Sequence, residues 1–215
     1  MIKDLKKRLY TSLVLLLILI FIIKIDFLLL FVLIVFGLFS IIEFFNIVKK
    51  ITKNNYLKFI QNSLFILFIF FYCYLFFFFS NIPQLKIILF TLLLGCIASD
   101  IGGLTFGKIF KGPKLTVISP KKTISGSLGS ILFSIFMINI LFYYFINTFN
   151  IKIFAVSIIT SIGSQLGDLF FSYLKRKAKI KDTGNILPGH GGVLDRLDGI
   201  FFGIPAGFVA LTYLY

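Results

Sequence analysis

The chain has 215 residues, 59% of them apolar, with a mean hydropathy of +1.03 and a formal net charge of +14. Soluble domains hold about 45–50% apolar residues, so a water-soluble core would leave too much apolar surface uncovered, whereas a bilayer covers it. The basic residues stand between apolar runs rather than among stacking aromatics, which argues for cytoplasmic loops of a membrane protein and against a nucleic-acid-binding module.

Seven apolar runs have the length and character of membrane helices: Leu9–Ile23, Phe27–Val48, Phe59–Phe79, Leu85–Ser99, Ser127–Ile146, Ile153–Phe171 and Leu197–Tyr215. Lys6, Lys7 and Arg8 before the first run resemble the start of a signal peptide, but Lys24-Ile25-Asp26 stands where a small-residue cleavage site belongs, so an uncleaved helix is expected. The first two runs are also compatible with a tight hairpin that does not fully cross. Cys73 and Cys96 lie inside apolar runs without C-x-x-C spacing and imply neither a disulfide nor a metal site.

With the amino terminus in the cytoplasm and the runs crossing alternately, every basic residue except Lys24, Lys86 and Lys152 falls on the cytoplasmic side. This asymmetry obeys the positive-inside rule. It puts both long polar loops, 107–124 and 172–196, in the cytoplasm. The expected architecture is an all-α, polytopic bundle of about seven transmembrane helices. It forms a single domain over 1–215, with N-terminal membrane helices at 1–95 and a catalytic core at 96–215.

The chain has eight acidic residues. Asp100 closes the fourth run, Asp168 sits late in the sixth, and Asp195 and Asp198 open the seventh. An ionisable group at a membrane helix end is a functional candidate by default. Asp195 and Asp198 are three apart and would share a helix face, where they could equally cap the helix and pair with Arg196. Carboxylates with open coordination suit Mg²⁺, which takes phosphate oxygens as its remaining ligands. Ser157, Ser161, Ser164, Gln165, Asp168, Ser172 and Lys175 form a polar stripe at three-to-four spacing, and Gly163-x-x-x-Gly167 is a close-packing motif. Interhelical contacts account for the serines; Asp168 needs a cation or water beside it. The Gly-rich stretch from Lys181 to Gly192 could turn backbone N–H groups towards an anion. His190 within it, the chain's one histidine, is read as structural sooner than as a general base. Lys108, Lys111, Lys114, Lys121 and Lys122 fit either an anionic membrane surface or a polyphosphate cradle.

The run Ser172-x-x-Lys175-Arg176-x4-Lys181-Asp182-x5-Pro188-Gly189-His190-Gly191-Gly192-x-x-Asp195-Arg196-x-Asp198 resembles the signature of phosphatidate cytidylyltransferases. Ser164-Gln165-x-Gly167-Asp168-Leu169, Asp100-x-Gly102, Phe106-Gly107-Lys108 and Ser119-Pro120-Lys121-Lys122-Thr123 also resemble that family, so the likeness runs from about residue 95 to the end. Glu43-Phe44 is similar to an early Glu-aromatic pair. Ile124-Ser125 stand where the family usually has Trp-Glu, and Leu104 where Tyr is common. A membrane helix or two fewer than in many members is expected in the first half.

The resemblance implies the reaction of CTP with phosphatidic acid to give CDP-diacylglycerol and pyrophosphate, with Mg²⁺ and room for a second, monovalent cation such as K⁺. It implies Asp168 and Asp195 as metal ligands supported by Asp198 and Asp100. Lys175, Arg176 and Arg196 join the catalytic set, with Lys121, Lys122, Lys175 and Arg176 holding phosphate. Lys108, Ser119, Thr123, Ser172, Lys181, Asp182, Gly189, His190, Gly191 and Gly192 join the substrate-binding set. The expected location is a bacterial-type inner membrane with the active site facing the cytoplasm; a homodimer is one assembly left open. Two rival readings are a CTP-dependent lipid-alcohol kinase and a non-enzymatic transporter. A transporter would carry its charges near mid-membrane at broken helices rather than at one face.

Overall fold

Local sequence sets most of the helix ends. The computed structural model describes residues 2–116, 118–147, 150–189 and 191–214, with side chains from Tyr10 onward. α1 (Ile2–Lys24) gives way at the extended residue Ile25 to α2 (Asp26–Ile51), which has an acid in its first turn and Lys49 and Lys50 in its last, as the helix dipole favours. Asn54 caps α3 (Asn55–Ser80) by accepting from Tyr56 N at 2.9 Å. Pro83 occupies the first position of α4 (Pro83–Phe110), where its missing N–H costs nothing. Thr123 caps α5 (Ile124–Ile146) by accepting from Gly126 N at 3.1 Å, and Asn147 ends that helix in the left-handed region at φ 54°. α6 (Ile151–Lys177) ends on Lys175, Arg176 and Lys177. The short α7 (Leu194–Leu197) and α8 (Ile200–Leu214) complete the chain.

Six spans are long and apolar enough to cross a membrane, the last of them running over Leu194–Leu214, and Tyr10–Lys24 is a shorter apolar helix. Together they match the seven expected runs. The outward surface fits lipid: on α3 alone Phe59, Leu64, Leu67, Phe70, Phe71, Tyr74 and Phe78 are exposed. Two expected ends are corrected. The fourth helix does not stop at Ser99 but continues to Phe110. The seventh is not one regular helix from Leu197, because residues 198–199 interrupt it. Both cysteines are free, with Cys96 buried and Cys73 half-buried.

The chain divides into two compact units, Met1–Ile82 with Leu174–Leu197, and Pro83–Tyr173 with Asp198–Tyr215. In the first, α2 packs on α3. Phe44 stacks on Phe65 with centroids 3.8 Å apart, and Gly37 lets Ile69 and Cys73 come close. Leu29, Ile47, Phe65 and Ile69 are buried there.

In the second unit, small residues bring backbones together. A Cβ on Gly102 would strike Gly129 O and lie 2.7 Å from Phe133 Cβ, and one on Gly103 would lie 2.6 Å from Ser130 Oγ. This close packing of α4 on α5 keeps the glycine-rich stretch after Asp100 helical. Gly163 and Gly167 lie against residues 198–206, as their spacing predicts. Three members of the polar stripe of α6 serve as interhelical glue. Ser161 Oγ meets Ser99 Oγ at 2.8 Å, Ser157 Oγ accepts from Asn139 Nδ2 at 3.1 Å, and Gln165 Oε1 accepts from Ser127 Oγ at 2.5 Å. In a bilayer such bonds hold helices together where water offers no competing partner.

Candidate active site

In the unit formed by Pro83–Tyr173 and Asp198–Tyr215, the loop between α4 and α5 is a small hairpin. Leu115 N donates to Lys122 O at 2.8 Å and Ile124 N to Pro113 O at 3.0 Å. Its tip is a turn in which Lys122 N donates to Ser119 O at 3.0 Å around Pro120, a residue whose fixed φ suits that place. Ser119 N in turn donates to Thr116 Oγ1 at 3.3 Å. Ser119 and Thr123 thus shape the loop through the tip turn and the α5 cap. Lys108, Lys111, Lys114 and Lys121 are exposed. Lys122 turns inward and meets Asp168 Oδ2 at 3.0 Å, with the two side chains 29% and 21% exposed. This ion pair joins two of the motifs read from the sequence, 46 residues apart.

Beside Asp168, polar side chains close on Gly199. Gly199 has no room for a side chain, since a Cβ there would lie 2.6 Å from Ser164 Oγ and 3.0 Å from Asp168 Oδ1. Ser164 Oγ is buried and has no hydrogen-bond partner among the described residues. Asp198 is buried, and its Oδ1 accepts from Gly199 N at 3.0 Å. Asp100 is exposed on α4 and Ser172 is half-buried on α6.

In the other unit the glycine-rich loop is tied down by two carboxylates. Asp195 Oδ1 takes Lys175 Nζ at 2.7 Å, while its Oδ2 accepts from Thr183 N at 2.8 Å and Gly192 N at 3.0 Å. The pair is well shielded, with Lys175 and Asp195 side chains 11% and 8% exposed. Asp195 therefore pairs with a lysine of α6. It does not line up with Asp198 on one helix face, because the helical segment ends at Leu197. The Gly192 N–H is already used by Asp195. Gly189 and Gly191 adopt φ of 76° and 85°, which glycine alone tolerates easily, and Leu187 N donates to Gly191 O at 3.0 Å to close the turn. Lys181, Asp182, Arg176 and Arg196 are exposed at the loop and its flanks, and Arg176 Nη1 donates to Ile180 O at 3.4 Å. His190 lies outside the described residues.

Glu43, read from sequence only as part of a Glu-aromatic pair, is the second of these two carboxylates. It is 2% exposed. Its Oε2 accepts from Thr183 Oγ1 at 2.6 Å and Leu194 N at 2.9 Å, and its Oε1 from Val193 N at 3.0 Å. The signal was available: Glu43 is the one acid inside the Phe27–Val48 run, and an acid within a membrane span is a functional candidate.

Among the described residues, no three or more His, Cys, Asp or Glu side chains come together as a metal-holding group. The chemistry of the individual donors nevertheless suits Mg²⁺. Asp168 and Asp195 offer hard carboxylate oxygens, and each now faces an ammonium group, a cation standing where another could. The unpartnered Ser164 Oγ beside Asp168 adds a further oxygen.

A sequence profile of the Cytidylyltransferase family matches residues 2–214. The chain belongs to the cytidylyltransferase family. Among curated relatives of this cytidylyltransferase-family chain, the phosphatidate cytidylyltransferase of Rickettsia prowazekii is 48% identical over 118 residues, 50% of this chain and 51% of that protein. The protein of the same name from Staphylococcus aureus is 40% identical over 136 residues, 61% of this chain and 51% of its own length. The one from Staphylococcus haemolyticus is 45% identical over 111 residues, 50% of this chain and 42% of that protein. The chain thus spans about half the length of the curated relatives it matches.

Proposed function

We propose that this protein transfers the cytidylyl group of CTP to phosphatidic acid, releasing pyrophosphate and forming CDP-diacylglycerol. The observation that carries the reading is the arrangement of the signature run: Lys175, Thr183, Gly192 and Asp195, scattered over 21 positions of sequence, meet around one carboxylate. The family membership supports the reaction class, and the names of the relatives support the lipid acceptor.

In the proposed reaction an oxygen of the lipid phosphate attacks the α-phosphorus of CTP. The bond from that phosphorus to the α–β bridging oxygen breaks, and pyrophosphate leaves with the electron pair. Such a step asks the protein for positioning and charge neutralisation more than for covalent chemistry. Asp168 and Asp195 are the residues proposed to hold Mg²⁺, which when bound supplies charge neutralisation at phosphate oxygens. Lys121, Lys122, Lys175 and Arg176 are proposed phosphate-binding groups. Asp198 and Asp100 support the carboxylates, and the Gly189–Gly192 turn shapes the loop. The clustering of lysines in the two loops supports a cytoplasmic active site, reached by soluble CTP from one side and by lipid from the bilayer.

The test is label transfer by purified protein in mixed micelles containing phosphatidic acid, with and without Mg²⁺ and K⁺. Label from the α-phosphate of CTP should enter the lipid in the presence of Mg²⁺. Entry of γ-label instead would identify a lipid kinase, and entry of neither would refute the reading.

A further inference from the structure

Glu43 belongs to none of the motifs assigned to the reaction, yet it is the most deeply buried carboxylate named above. It sits within the apolar helix α2, about two turns before its Lys49–Lys50 end, where a charged group is retained only with strong compensation. Its compensation is unusually specific. Three donors converge on it, all from the signature loop: Thr183 Oγ1, Val193 N and Leu194 N. The last two are amides at the start of α7, which have no acceptor within their own helix. Glu43 therefore caps α7 from 150 residues away.

The loop is built around this side chain. A Cβ on Gly184 would lie 2.6 Å from Glu43 Oε1, and one on Gly192 would strike both Glu43 Oε2 and Thr183 Oγ1. Two of the glycines thus make room for a carboxylate of the protein itself. Thr183 carries both restraints: its hydroxyl goes to Glu43 and its amide to Asp195. Gly192, one residue before the Glu43-bound amides, gives its own amide to Asp195.

We infer that Glu43 is a positioning residue of the reaction, a membrane-embedded anchor that holds the 183–194 loop in its nucleotide-binding conformation. The inference rests on the proposed function for its catalytic consequence but not for its structural one. A carboxylate suits three donors, whereas an amide in its place would turn an N–H₂ group towards at least one of them. Leaving buried donors unsatisfied is costly, so the loop, and not the helix pair beneath it, should yield.

The experiment compares wild type, Glu43→Gln, Glu43→Asp and Thr183→Val in detergent micelles. Hydrogen exchange of amides 183–194 is read by mass spectrometry, alongside melting temperature and steady-state kinetics. Glu43→Gln should speed exchange in that segment by about tenfold and raise KM for CTP by about tenfold, with KM for phosphatidic acid within about twofold of wild type. Glu43→Asp, which keeps the charge on a shorter arm, should recover part of both effects. Thr183→Val, which removes one donor and leaves two, should show the same pattern about three- to fivefold. Unchanged exchange in 183–194 for Glu43→Gln overturns the inference. So does a general loss, in which exchange rises throughout α2 and α3 and both KM values move together. If wild type shows no CTP-dependent turnover, the function reading fails alone, and the exchange comparison still decides whether Glu43 holds the loop.

Discussion

Replacing Asp195 with Asn tests the shielded ion pair that it forms with Lys175. The change preserves size and removes charge. Asp195 now satisfies three donors with two oxygens: Lys175 Nζ at 2.7 Å on one, and the amides of Thr183 and Gly192 on the other. Asn has one acceptor oxygen, so its N–H₂ group must face either the ammonium or the two amides. Removing one partner of a buried ion pair costs about 3–5 kcal/mol, because the other charge is left without compensation. Lys175 retains 11% exposure and a long flexible arm, so part of that cost can be relieved by turning the ammonium towards water. About 2–4 kcal/mol remains, which for a chain of this length lowers the melting temperature by roughly 5–15 °C. Lys175→Met should cost a similar amount. The double variant should be less damaged than the two losses combined, with a coupling of at least about 1 kcal/mol. Thermal unfolding of the four proteins in one detergent measures the cycle. Additivity within about 0.5 kcal/mol would refute the view that these residues act as a shielded pair.

The Asp168–Lys122 pair should behave differently. Both side chains are more than a fifth exposed, so Asp168→Asn should change stability by no more than about 1 kcal/mol while lowering α-label transfer by about 100-fold or more, measured by melting and turnover on the same preparation. Chelation of divalent cations should abolish label transfer, and added Mg²⁺ should restore it, as a titration of activity against free Mg²⁺ would show. Gly102→Ala should cost about 1–3 kcal/mol, because its Cβ would push on the Gly129 carbonyl and the Phe133 side chain and cannot be relieved by a flexible side chain alone. Thermal unfolding in one detergent measures it, and a melting temperature equal to or above that of wild type would refute the close contact.

Hydropathy is a local property, and what depends on it was legible in the chain. The seven apolar runs became helices, and the Gly163–Gly167 spacing packed as its pattern implies. The residues of the signature run were also legible, because their types and intervals lie within one stretch. Their roles were not. Nothing local says that Asp195 takes Lys175 rather than Arg196 as partner, or that the helical segment ends at Leu197 and separates Asp195 from Asp198. The fourth apolar run ends at Ser99, and only α5 lying against Gly102 and Gly103 explains why the helix continues to Phe110. Glu43 is the fullest case. Sequence marks it as an acid in an apolar run, but its three donors lie 140 to 151 positions away. A buried charge takes its meaning from the groups that satisfy it, and in this fold those groups come from the far end of the chain.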